Sequence, residues 1–178
     1  VLYGYIVDVV NRASELVILA VGMTLVTAAS GGQDISVGAV MAVAAAVCCQ
    51  ILSGGEVSVT ELAAPMGLAI IAAILASALC GAFNGFLVAK MNIQPMVATL
   101  ILYTAGRGIG QLITAGQITY VRVDSYKVFG GYIGKIPVPT PIFLAIIVVI
   151  IVNLILKKTA LGLYIETVSY THLTLPTI

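Results

Sequence analysis

The sequence predicts an all-α integral membrane protein, a polytopic helical bundle with about five transmembrane helices in this stretch of chain. Three observations carry that expectation. Of 178 residues, 61% are hydrophobic and 8% charged, with a mean hydropathy of +1.16. Soluble domains are roughly 25% charged, so the polar coat that would cover a globule is missing. The apolar residues fall in runs close to the roughly 20 that a helix needs to cross a hydrocarbon core of about 30 Å. No strand-type alternation is present to build a barrel, the other backbone arrangement that lipid tolerates.

Charge and chemistry narrow the function further. Eight Lys/Arg, seven Asp/Glu and one His leave a formal net charge of +1, which excludes nucleic-acid binding through a basic surface and excludes a charged disordered tail. Cys48, Cys49 and Cys80 lie in apolar stretches without C-x-x-C spacing, and His172 is remote from them. They read as small buried side chains rather than as metal ligands or a disulfide framework. H-E-x-x-H, G-x-S-x-G and G-x-x-x-x-G-K-[ST] patterns are all lacking. The chain is therefore expected to be no enzyme and to carry no cofactor, with any nucleotide hydrolysis in another subunit.

The spans are expected at residues 13–29, 36–52, 60–89, 95–113 and 141–156, the third being long enough to tilt or break. Ser58-Val59-Thr60-Glu61 has capping-box spacing and predicts the start of that third helix. Gln94-Pro95 and Thr140-Pro141 place proline in a first helical turn, where its missing N–H costs nothing. Residues 115–140, with Arg122, Asp124, Lys127, Lys135, Gly130-Gly131, Pro137 and Pro139, are too polar for lipid and are expected to form an extramembrane loop. Lys157-Lys158 suggest a cytoplasmic end, and alternation then puts Lys90 inside and the 115–140 loop outside. The loop's own basic residues leave the positive-inside comparison near a tie.

Val1 stands where a Met would begin a chain and no signal peptide follows, so the sequence is expected to start inside a longer protein. After Glu166 the chain turns into a Thr-rich, uncharged run without helical period. Residues 1–166 are accordingly read as the membrane domain and 167–178 as a foreign or disordered tail.

Polar residues within the apolar runs are the candidate functional positions. In Gly31-Gly32-Gln33-Asp34-Ile35-Ser36-Val37-Gly38 two glycines permit positive φ, Asp34 or Ser36 can cap the next helix, and Gly38 allows close packing. A carboxylate costs about 2.5–3.5 kcal/mol at the bilayer centre on insertion scales, so Asp34 belongs at an interface, in a wet cavity or against a partner. The segment reads as a tight capped turn, as a discontinuous element on a translocation path, or as both. Gly81-Ala82-Phe83-Asn84-Gly85 is a G-x-x-x-G whose small faces suit helix contact, with Asn84 able to bond across it or to face a pathway. Arg107, between Gly106 and Gly108, reads as an arginine snorkelling from a helix end or as a pathway residue.

These residues also carry a resemblance. Gly22-Met23-Thr24-Leu25-Val26, the block of residues 31–38 and Met41-Ala42 resemble the signature of bacterial sugar ABC-importer permeases of the ribose, xylose and galactofuranose type, whose usual form is GMT-x-V followed by GGIDLSVG. Gln33 stands for the usual Ile, and Ile35 for the usual Leu. Residues 81–90 and 93–100, Arg107-Gly108, Ile136-Pro137-Val138-Pro139 and residues 159–165 fall where that family has similar blocks, so the likeness covers nearly all of 5–166 and looks closest to the galactofuranose type. It implies a multi-pass permease of the bacterial inner membrane that moves a monosaccharide through the lipid bilayer. It implies three partners: a cytoplasmic ABC ATPase, a periplasmic sugar-binding protein, and a second permease copy or sister permease. It implies no nucleic acid. A usual first span before Val1 and a coupling segment with further spans after Glu166 are not matched, so the chain is expected to be about the first half of a permease. A branched-chain amino-acid permease of the same superfamily and a structural membrane protein without a pathway are the rival readings.

Overall fold

The computed structural model describes residues 2–123, 130–131, 139–160, 162–165 and 167. Among them are five α-helices and two very short strands: α1 (Leu2–Ser30), α2 (Val37–Ser53), β1 (Ser58–Val59), α3 (Met66–Ala89), α4 (Pro95–Ile113), β2 (Tyr120–Val121) and α5 (Thr140–Lys158). Four of the helices are long and apolar enough to cross a membrane, and α2, with 17 residues, is a shorter apolar helix. The helical, polytopic expectation therefore holds. The chain divides into two compact units, Asp34–Lys127 and Val1–Gln33 with Val128–Ile178.

In the unit Asp34–Lys127, α2 packs against both α3 and α4. Its buried positions Ala39, Val43 and Ala46 follow the i, i+4, i+7 stripe of a helix face. The stripe on α4 is Ala98, Leu102, Gly106 and Gly110. A Cβ on Gly106 would stand 3.1 Å from the Ala39 Cβ, and one on Gly110 would stand 3.7 Å from the Ala42 carbonyl oxygen. Rising numbers on one helix meet rising numbers on the other, so α2 and α4 run parallel. The small-residue contact thus uses Gly106 and Gly110. Gly81 and Gly85, where the sequence suggested it, meet nothing within 4 Å of a would-be Cβ.

Two differences from the expected elements have clear causes. The third helix starts at Met66, because Pro65 sits at its N-cap with extended backbone (φ −61°, ψ 134°) and a helix continuing from residue 60 would collide with the proline ring. Ser58 is consequently no capping-box residue. It pairs with Tyr120, and Val59 with Val121, in a parallel two-residue ladder. The Tyr120 N–H donates to the Val57 carbonyl at 2.8 Å and the Arg122 N–H to that of Val59 at 2.9 Å. This short ladder is a departure from the all-α expectation. It ties the connection leaving α2 to the one leaving α4, outside the helices.

In the other unit, α1 packs on α5, with Val10, Ala13, Ser14 and Val17 facing Ile142, Ala145, Ile146 and Val149 across an apolar groove. Hydropathy placed the first span from residue 13, but α1 begins at Leu2 and has 29 residues, about 43 Å at 1.5 Å per residue. Its extra turns carry an Asp8–Arg12 pair of 3.2 Å at i, i+4 spacing, which supports the helix where charges interrupt the apolar run. Large apolar side chains such as Leu75, Leu79, Ile146 and Ile150 are at least half exposed in the isolated chain, the surface expected of a protein solvated by lipid. Asp124, Lys127, Lys135, Pro137 and all of the 167–178 tail except Thr167 lie outside the described residues.

Candidate functional site

The segment between α1 and α2 is built from backbone chemistry. Gly31 takes φ +66°, the left-handed region, and its N–H donates to the Thr27 carbonyl at 2.9 Å, the usual way a glycine closes a helix. The Gly32 N–H reaches the Ser30 Oγ at 3.3 Å. In the other unit, the Asp34 Oδ1 accepts the Ser36 N–H at 2.8 Å and the Ser36 hydroxyl at 2.6 Å. Of the two capping candidates Asp34 is thus the one that takes a backbone N–H, in an Asx-type turn two residues long. Ser36 makes no side-chain cap. The N-terminus of α2 favours the negative charge placed against it.

Ser36 links Asp34 to α3. Its side chain is fully buried, and its oxygen accepts the Asn84 Nδ2 at 3.1 Å. The short Ser36–Asp34 contact lies in the charge-assisted O–H···O⁻ range, so the hydroxyl proton points at the carboxylate. That leaves only lone pairs facing α3, and Asn84 must present its NH₂ group there. Its Oδ1 is buried and has no hydrogen-bond partner among the described residues.

The sequence candidates therefore separate. Asp34, Ser36 and Asn84 form one hydrogen-bonded chain. Gly31 and Gly32 shape the turn after α1. Gly38 is exposed and has nothing within 4 Å of a would-be Cβ. Arg107 has no hydrogen bond or ion pair to the Asp34 chain. Its guanidinium lies 4.5 Å from the centroid of the Tyr103 ring, and it lines a cavity of about 430 Å³ between α2 and α4 with Ala42, Ala46, Cys49, Gln111 and Thr119. The sequence reading passed over Tyr103 and Gln111, although their i−4 and i+4 spacing from Arg107 puts all three on one helix face. Among the described residues no group of three or more His, Cys, Asp or Glu could hold a metal ion.

Residues 5–170 match the family described as branched-chain amino acid transport system / permease component. The chain belongs to this family. It is therefore a multi-pass membrane permease component of the bacterial ABC-importer type and not a catalytic subunit. It is 44% identical over 167 residues to a galactofuranose transporter permease of Escherichia coli, covering 94% of this chain and 46% of the relative. A fructose import permease of Bifidobacterium longum is 36% identical over 94% of this chain and 45% of its own length. The ribose import permease of Escherichia coli is 35% identical over 89% of this chain and 47% of its own length. The chain thus spans about half the length of the curated relatives it matches. No solved structure matches it significantly.

Proposed function

We propose that this chain is part of the membrane-spanning permease subunit of a binding-protein-dependent ABC importer that moves a monosaccharide across the bacterial inner membrane. The observation that carries the reading is the 44% identity to a galactofuranose transporter permease along 94% of the chain, supported by the fructose and ribose permeases. A cytoplasmic ABC ATPase drives the movement, a periplasmic sugar-binding protein delivers the substrate, and a second permease copy or sister permease completes the pathway. Residues 1–166 are the permease portion and 167–178 a tail without function. Within the permease portion, Asp34, Ser36 and Asn84 hold the head of α2 against α3, and Gly31 and Gly32 shape the end of α1. Arg107 belongs to a separate cavity.

A second reading, a branched-chain amino-acid permease, is favoured by the family's own description. Uptake by the full-length permease with its ATPase and binding protein, in a host stripped of its own sugar and leucine importers, separates the two. Saturable, ATPase-dependent accumulation of a labelled pentose or hexose supports the proposal. Accumulation of leucine instead overturns it, and accumulation of neither favours a structural role.

A further inference from the structure

Among the described residues Arg107 has no ion pair with a carboxylate. It sits on α4, six positions before the last residue of the helix, Ile113, about 9 Å along the axis. That depth is one from which an arginine reaches the headgroup region by snorkelling. The guanidinium carbon lies over the Tyr103 ring, 4.5 Å from its centroid, and a cation–π contact consumes none of the N–H donors. Among the described residues lining the cavity beside it there is no carboxylate. Gln111 and Thr119 add further donors on the same wall, whereas the Thr114 hydroxyl is engaged by the Gly110 carbonyl at 3.2 Å. The rest of the lining gives an apolar floor of Ala42 and Ala46 on α2 and Gly110 on α4. Donors beside an apolar floor suit an amphiphile with an anionic oxygen group, because arginine binds phosphate oxygens through two parallel N–H bonds.

We propose that the α2–α4 cavity is a binding site for the phosphate group of an anionic membrane lipid, with Arg107 as the anchor, Gln111 as a second donor and the Ala42/Ala46/Gly110 floor against the glycerol and acyl carbons. Free phosphate would use the same donors but not the floor, and the floor assigns the phosphate to a lipid. The site is independent of the transported substrate.

Native mass spectrometry of the purified 178-residue chain tests this, with phosphatidylglycerol and phosphatidylcholine supplied in equal amounts. Phosphatidylglycerol is expected to be retained about tenfold over phosphatidylcholine, a difference of about 1.4 kcal/mol. Arg107→Gln removes the preference, and Lys158→Gln, which alters a cation outside the cavity, leaves it intact. Gln111→Leu keeps the charge and lowers retention several-fold at unchanged helical content, so a folding defect in the arginine variant does not decide the result. Equal retention of the two lipids, or a preference that survives Arg107→Gln, overturns the proposal. Release of phosphatidylglycerol by millimolar inorganic phosphate overturns the lipid source and points to free phosphate.

Discussion

Asn84 on α3 and Ser36 at the head of α2 are joined by a 3.1 Å hydrogen bond that spans 48 positions of sequence. Ser36 is already bonded to Asp34 at 2.6 Å, so the amide reaches the carboxylate through a shared hydroxyl. Removing the shared hydroxyl strands the Asn84 amide and leaves the carboxylate with the Ser36 N–H alone, whereas removing Asn84 leaves the hydroxyl still bonded to Asp34. Ser36→Ala is therefore expected to destabilise the unit more than Asn84→Ala, each by roughly 1–3 kcal/mol. The double variant should cost less than the sum of the two. Unfolding of the three variants in mixed micelles measures this coupling, and strict additivity would show that the contact is energetically idle.

Asp34 separates a structural role from a transport role. A plain helix cap predicts a loss of about 1 kcal/mol for Asp34→Ala with transport per folded molecule unchanged. In the full-length permease we expect sugar uptake, normalised to membrane protein level, to fall much further than the protein level itself. Unchanged normalised uptake would reduce Asp34 to a cap.

The α2–α4 contact has its own test. With only 3.1 Å between a would-be Cβ on Gly106 and the Ala39 Cβ, Gly106→Val overpacks a buried interface and should cost about 1–3 kcal/mol. Ala39→Gly in the same chain opens space opposite it and should recover part of the loss. Thermal unfolding of the single and double variants reads the effect, and no recovery would mean that the strain lies elsewhere.

The parallel ladder is open to chemical trapping. Val59 and Val121 are register partners, and backbone neighbours in a sheet approach within the Cα separation that a disulfide spans. Val59→Cys with Val121→Cys, in a chain with Cys48, Cys49 and Cys80 changed to Ala, is expected to oxidise to an intramolecular disulfide. Peptide mapping detects it, and free thiols under mild oxidant would argue against the ladder.

Deleting residues 167–178 is expected to leave membrane insertion and helical content unchanged. Fractionation and circular dichroism of the shortened chain check this. Loss of folded protein would give the segment a structural role.

How much of this was legible in the sequence depends on the range over which each feature is written. The α4 limits and the start of α5 were readable because Pro95 and Pro141 mark first turns chemically. The start of α3 was misread because Ser58 and Glu61 imitate a capping box, and the steric veto of Pro65 acts only once a helix is drawn through it. The early start of α1 was missed because Asp8 and Arg12 break the apolar run, while in the structure their i, i+4 pairing lets the helix run through them. Asp34 and Ser36 are two residues apart, and their turn could be guessed. That Asn84 completes it could not, since helix periodicity says which face a residue occupies and not which distant group it will meet. The ladder at Ser58 and Tyr120 is two residues deep, too short to leave a pattern.

The order in which the chain is made gives the Asp34 relay a further meaning. When α2 enters the membrane ahead of α3, Asn84 is not yet packed against Ser36. At that stage the carboxylate depends on the Ser36 N–H and hydroxyl alone, and both arrive with it in the same turn. Asp34 is thus chaperoned by its own neighbour during insertion, and Asn84 latches on only when α3 follows. The late partner turns a locally satisfied turn into a checkpoint of assembly, engaged once the second hairpin arm is in place.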